Sequence, residues 1–149
     1  MSPAGYSATP LARKLGIREG HAVLLSRPPE DFDAVLGPLP RDVSLHRRAA
    51  RPAYDVILLF AARRASLALR LPGSIDRLAW TGGLWLCWPK KASGMRTDLS
   101  GDKIRRIGLG AGLVDNKVCA VDETWSGLRF VYRVEDRPTP SSSASSASP

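Results

Sequence analysis

Tyr54-Asp55-Val56-Ile57-Leu58-Leu59-Phe60 is the stretch on which the fold reading turns. It is apolar at odd and even positions alike. A strand wetted on one side alternates, whereas one covered by helices on both sides reads as a continuous apolar run, so this is a central strand of a parallel sheet. Leu84-Trp85-Leu86-Cys87-Trp88 repeats the pattern, opened by Thr81-Gly82-Gly83 and terminated by Pro89. Between the two runs the sequence predicts a helix from Ala61 to about Leu71. Pro72-Gly73 breaks it, and a second short helix follows from Ser74 to Ala79.

Upstream, Thr9 and Pro10 start a short helix with Leu11 and Leu15 as its apolar stripe, ending near Gly16. His21 to Ser26 forms a first strand, ended by Pro28-Pro29. Glu30 to Leu36 gives an amphipathic helix through Phe32, Val35 and Leu36, stopped by Gly37-Pro38-Leu39-Pro40. Val43-Ser44-Leu45-His46 alternates like a half-buried strand near a sheet edge. Downstream, Lys90-Lys91-Ala92-Ser93-Gly94 makes a basic loop. Ser100 caps a helix whose buried stripe is Ile104, Ile107 and Ala111. Val114–Thr124 and Leu128–Glu135 then read as an antiparallel hairpin turning at Trp125-Ser126-Gly127.

This order predicts a single three-layer α/β domain over residues 1–137, with a mostly parallel sheet that finishes on an antiparallel hairpin. From Pro138 to Pro149 the chain reads PTPSSSASSASP, a Ser/Pro-rich tail expected to be disordered because it has no apolar periodicity. With 149 residues, 44% of them hydrophobic, the chain is long and apolar enough for one real core. No run approaches the roughly 18 apolar residues of a membrane span. The start, MSPAGYSATPLARK, lacks the apolar centre of a signal peptide, so the expected compartment is the cytoplasm.

Cys87 and Cys119 each sit inside an apolar run and read as buried free thiols; no metal-ligand spacing occurs. The 22 basic residues outnumber 14 acidic ones, giving a net charge of +8. That balance raises nucleic-acid binding as a possibility. Arginines supply 17 of the 22 and are scattered along the chain, which argues against a dedicated stripe.

The segments Tyr54–Phe60 and Gly82–Lys91, with the closing VDNKVCAVDETWSGLRFVYR, resemble the middle and terminal hairpin of a Rossmann-type methyltransferase. Most of the chain also resembles an uncharacterised bacterial family, domain of unknown function 3052. That resemblance is carried by Gly5-Tyr6-Ser7 with Thr9–Ala12 and Lys14–Ile17, by Trp88–Gly94 with Thr97-Asp98-Leu99, and by Val118–Leu128. It implies a methyltransferase-like core and brings no established activity.

Ligands of open α/β sheets sit outside the carboxyl ends of the strands, near the point where strand order reverses. A methyltransferase or dehydrogenase places a glycine-rich turn after the first strand so that backbone can approach the cofactor. Here that turn is Ser26-Arg27-Pro28-Pro29-Glu30-Asp31, which has no glycine, and its two prolines remove amide donors. The second strand ends His46-Arg47-Arg48 where an acid would bind ribose hydroxyls, and Asp42 lies at its other end. No cofactor is therefore expected.

Arg27, Lys90, Lys91 and Ser93 are the ligand-binding candidates, with chemistry suited to a phosphate or carboxylate. Trp125, at the expected turn, and the acids Asp122 and Glu123 are the partner-contact candidates; neighbouring strand residues point to opposite faces, so at most one of the two acids faces a cleft. His21 begins a strand and His46 ends one, so no catalytic grouping forms and no catalytic residue is assigned. The expectation is a non-catalytic domain binding a small anion or a protein partner on a degenerate methyltransferase-like scaffold. The alternatives are an S-adenosylmethionine-dependent methyltransferase with an atypical cofactor loop, and non-specific nucleic-acid binding.

Overall fold

Burying two apolar faces of one sheet requires helices on both sides, and the chain supplies them. The computed structural model describes residues 9–138. Gly5-Tyr6-Ser7 and all of the expected tail beyond Pro138 lie outside the described residues. Strands Ala22–Ser26 (β1), Ser44–His46 (β2), Tyr54–Phe60 (β3), Leu78–Pro89 (β4), Leu113–Ala120 (β5) and Trp125–Tyr132 (β6) form one sheet. Their order is β2-β1-β3-β4-β6-β5. β2, β1, β3 and β4 run parallel, and β6 is antiparallel to both of its neighbours. The expected α/β class and closing hairpin are thus present.

Helices Leu11–Lys14 (α1) and Phe32–Leu36 (α2) cover one face; Arg64–Asp76 (α3) and Gly101–Gly110 (α4) cover the other. Alternate strand residues divide accordingly. Ile57, Leu59, Leu84, Leu86 and Phe130 pack under α3 and α4. Val56, Leu58, Phe60, Trp85 and Cys87 pack under α1 and α2. Trp85 is wholly buried, and its indole N–H donates to the Leu15 carbonyl at 2.9 Å, tying the sheet to α1 across the core. No helix among the described residues is long and apolar enough to cross a membrane.

Three boundaries differ from the sequence reading. Pro72 does not end its helix: α3 runs unbroken to Asp76. Proline sacrifices one helical hydrogen bond, but its φ is helical, and burial of Leu67, Leu71 and Ser74 outweighs the loss. The segment read as a second short helix divides between the end of α3 and the start of β4. Beside β3 that strand carries three extra residues, because Tyr54 pairs with Leu78 and Val56 with Gly83. Gly82 makes this bulge possible, since a Cβ there would lie 2.7 Å from the Asp55 carbonyl oxygen.

The hairpin turn is also displaced. It lies before Trp125, where Asp122 Oδ1 accepts the N–H groups of Thr124 at 2.8 Å and Trp125 at 2.7 Å. Gly127 belongs to β6; its missing side chain makes room for the Trp85 ring.

Two stability outcomes follow from this packing. Gly108, inside α4, lies against the buried Phe130 ring, and an added Cβ would collide with it. Gly108→Ala should therefore destabilise by about 1–3 kcal/mol through overpacking, despite the better helix propensity of alanine. Urea midpoints check this, and Phe130→Leu in the same chain should recover part of the loss. Cys87 is fully buried, and burial, then Cys119 and Asp122, push its thiol well above the ordinary value. The folded state thus keeps a proton that the unfolded chain releases. Stability from this group is intact below about pH 8.5 and falls above it. Urea unfolding at neutral pH and near about pH 9.5 should show a smaller alkaline loss for Cys87→Ala than for the parent.

Candidate functional site

From β1 the chain moves to one side to make β2, then returns past β1 to make β3 on the other. The crevice between the carboxyl ends of β1 and β3 is the topological switch point, bounded by Ser26 and Phe60. Directly after Ser26 the backbone of Arg27 turns left-handed, with φ 53°, and Asp31 follows with φ 65°. Glycine adopts that conformation freely and arginine does so at a cost. The loop therefore keeps the bend of a glycine turn while carrying a bulky cation at the bend.

Arg70, one residue before the buried Leu71 on α3, reaches across this crevice. Nη1 donates to the Phe60 carbonyl at 2.8 Å and to Ser66 Oγ at 3.0 Å; Nη2 donates to the Ser26 carbonyl at 3.1 Å and to Ser26 Oγ at 2.8 Å. All four acceptors are neutral. Burial, and secondarily the Arg27 charge, lower the Arg70 guanidinium from its ordinary value. It nonetheless stays charged, as arginine does in proteins. Beside it opens a cavity of about 430 Å³ lined by Arg27, Arg47, Arg70 and Arg77 with the hydroxyls of Ser26 and Ser74. No carboxylate among the described residues lines it. Asp33 pairs with Arg47 at 2.8 Å, but this contact is solvent-exposed and outside the lining.

The sequence candidates separate in space. Arg27 lines this cavity. Lys90, Lys91 and Ser93 do not: they follow β4 in a loop whose start is bonded to the hairpin turn, Lys90 N–H to the Thr124 carbonyl at 2.7 Å. Ser93 is committed locally, its hydroxyl donating to the Lys90 carbonyl at 2.7 Å and accepting from Met95 N–H at 3.1 Å. Farther along, Asp98 accepts the Arg64 N–H at 2.7 Å and so caps the start of α3. Asp122 shapes its own turn, and Glu123 is exposed beside it.

Trp125 is corrected outright. It begins β6 rather than forming a turn and is only 8% exposed, its ring edge-on to Phe60 at 5.3 Å. The displaced turn buries it there. Sequence reasoning missed Arg70 and Arg77. The available signal was a charged residue adjoining the buried stripe of the helix after a central strand.

With this geometry in view, the chain can be set beside known proteins. It matches no family model and no curated protein sequence, so the resemblance to domain of unknown function 3052 has no support beyond the segments that carry it. Solved structures do match. A DhpI–SAH complex superposes with a TM-score of 0.58 at 13% identity, covering 89% of this chain and 87% of that one. A DhpI–SAM–HEP complex gives 0.55 at 10% identity, covering 87% and 88%. TrmN from Thermus thermophilus gives 0.51 at 15% identity, covering 83% of this chain and 47% of its own. These likenesses establish the architecture: a Rossmann-like fold of the methyltransferase type, with its mostly parallel sheet and antiparallel pair.

Do these residues suit the cofactor of that fold? SAM carries a sulfonium cation, and the crevice meets it with Arg27 and Arg70, with no acid in the lining of the adjoining cavity. At the end of β2, where an acid would take ribose hydroxyls, His46 Nδ1 is instead hydrogen-bonded to the Tyr54 hydroxyl at 2.7 Å. The residues present do not fit SAM.

Replacing Arg70 tests its place in the crevice. Arg70→Leu leaves two strand-end carbonyls without this donor and should lower stability by about 2 kcal/mol. Arg70→Lys should recover little, because a single ammonium cannot span the acceptors of a fork. Denaturant titration of both variants reads the difference.

Proposed function

We propose that this chain is a binding domain for a small anionic ligand on a methyltransferase scaffold, and that it transfers no methyl group. The observation carrying this reading is the cavity beside α3, lined by four arginines from Arg27 at the carboxyl end of β1 to Arg77 beside the start of β3, with no acid among its lining residues. Arg70, hydrogen-bonded only to neutral groups, keeps a net positive charge in a partly desolvated place, where Coulomb attraction is stronger than in water. Arg27 presents a further guanidinium group, suited to the paired oxygens of a phosphate or carboxylate; Arg77, at the far end of the cavity, donates from Nη1 to the Arg51 carbonyl at 2.7 Å. A cavity of about 430 Å³ suits a compact phosphate ester or dicarboxylate. Lys90 and Lys91, on the loop after β4, would add positive potential along the same sheet edge.

A second reading, a SAM-dependent methyltransferase with an atypical cofactor turn, is favoured by one specific observation. The DhpI structures, alike over nearly the whole chain, hold SAH or SAM. On lineage the comparisons lean to this second reading; on the chemistry of the crevice the first is better supported.

Calorimetry with pyrophosphate, SAH and SAM separates the two. The anion-binding reading expects pyrophosphate to bind, SAH to bind weakly and SAM, with its added positive charge, more weakly still. Arg27→Ala should weaken pyrophosphate about tenfold or more, in line with loss of a charge-assisted hydrogen bond. Tight SAH binding with no response to pyrophosphate would reverse the preference.

A further inference from the structure

The opposite edge of the sheet holds a larger hollow. A cavity of about 1070 Å³ opens where β1, β3 and β4 begin, between the chain around α1 and the outer faces of β5 and β6. Five cationic side chains line it: Arg13, Lys14, Arg18, Lys117 and Arg129. The one carboxylate in the lining, Asp55, is engaged, its Oδ2 accepting the Ala22 N–H at 2.8 Å.

Strand register makes the crowding specific. Lys117 on β5 pairs directly with Arg129 on β6, a cross-strand placement in which like charges repel. Arg129 lies flat over β4, where Gly83 makes room for it; a Cβ at Gly83 would strike the guanidinium. Among the described residues its one side-chain hydrogen bond is a long one, 3.4 Å to Asn116 Oδ1, and no carboxylate lies within ion-pair distance. Burial, then Arg137 and Arg18, lower its guanidinium from the ordinary value. Lys117 Nζ reaches the Lys14 carbonyl at 3.0 Å, which draws the β5 cation toward α1. A half-buried cation facing like charges, seated in a cradle that glycine makes possible, is an arrangement that a bound anion completes.

Size and wall select among anions. The hollow far exceeds one phosphate group, and Pro38, Leu39 and Pro40 give it an apolar side, with Leu39 38% exposed. We propose that this amino-edge cavity binds an organic polyphosphate, with the charged groups on Arg18, Lys117 and Arg129 and the organic moiety against Pro38-Leu39-Pro40. This site is separate from the cavity beside α3 and does not rest on the function proposed for it.

The test is calorimetry on the full chain, without added metal, at physiological salt, with ATP, inorganic tripolyphosphate and adenosine as probes. ATP should bind, tripolyphosphate about tenfold more weakly because the apolar wall stays uncovered, and adenosine not measurably. In an Arg27→Ala background, which disables the other cavity, Arg129→Gln and Lys117→Gln should each weaken ATP at least tenfold. Without ligand, Arg129→Gln should melt no lower than the parent, since it removes repulsion; a purely structural arginine would melt lower. Lys117, exposed on an edge strand, supplies a variant expected to fold in any case. Absence of ATP binding in the Arg27→Ala background overturns the proposal, as does ATP affinity there that survives both variants. Failure of pyrophosphate at the cavity beside α3 leaves these outcomes unaffected, so the two readings fail separately.

Discussion

Arg70 holds the switch point together. Its guanidinium touches the ends of β1 and β3 at once and anchors them to α3, in the gap that strand reversal leaves at the centre of an open sheet. Carbonyls at strand ends must find donors, and in this fold the space beside them ordinarily belongs to a ligand. Filling it with a protein-borne cation satisfies the backbone and reverses the electrostatics of the crevice. The loop after β1, the arginines along the cavity and the poor fit for a sulfonium cofactor are all consistent with that substitution.

The two ends of the sheet solve different problems with the same kind of residue. At the carboxyl edge the central cation is almost fully hydrogen-bonded, so its geometry is fixed and its charge is what remains to act. At the amino edge Arg129 has room and few partners, so both its charge and its donors stay available. A chain with a net charge of +8 was open to a diffuse, nucleic-acid-like reading. Its arginines gather, in part, within two concave sites, one beside α1 at the amino ends of the strands and one along α3.

Much of the fold was legible because apolar runs report burial directly. Tyr54–Phe60 is a strand over the residues expected, Ser100 caps its helix through the Lys103 N–H, and the chain closes on an antiparallel pair. The reading went astray where local signals competed with packing. Pro72-Gly73 looks like a stop until Leu67 and Leu71 are known to be buried together. Trp-Ser-Gly looks like a turn until Asp122 is seen bending the chain three residues earlier and Gly127 is found beneath an indole. Of the site, Arg27 was found because it sits where a glycine was expected. Arg70 and Arg129 were not, because a lone arginine in a helix or strand says nothing of where its side chain lies. Lys90 and Lys91 were prominent as a pair of charges, yet adjacency in sequence does not bring them to the arginine cavity.

The left-handed backbone at Arg27 has an evolutionary side. Arginine codons of the CGN type are one base away from glycine codons, so a single transversion would relax the bend and delete a positive charge together. Two forms of such a loop would then differ in charge without any change in the path of the main chain. The path of this turn and the charge it carries are thus separable.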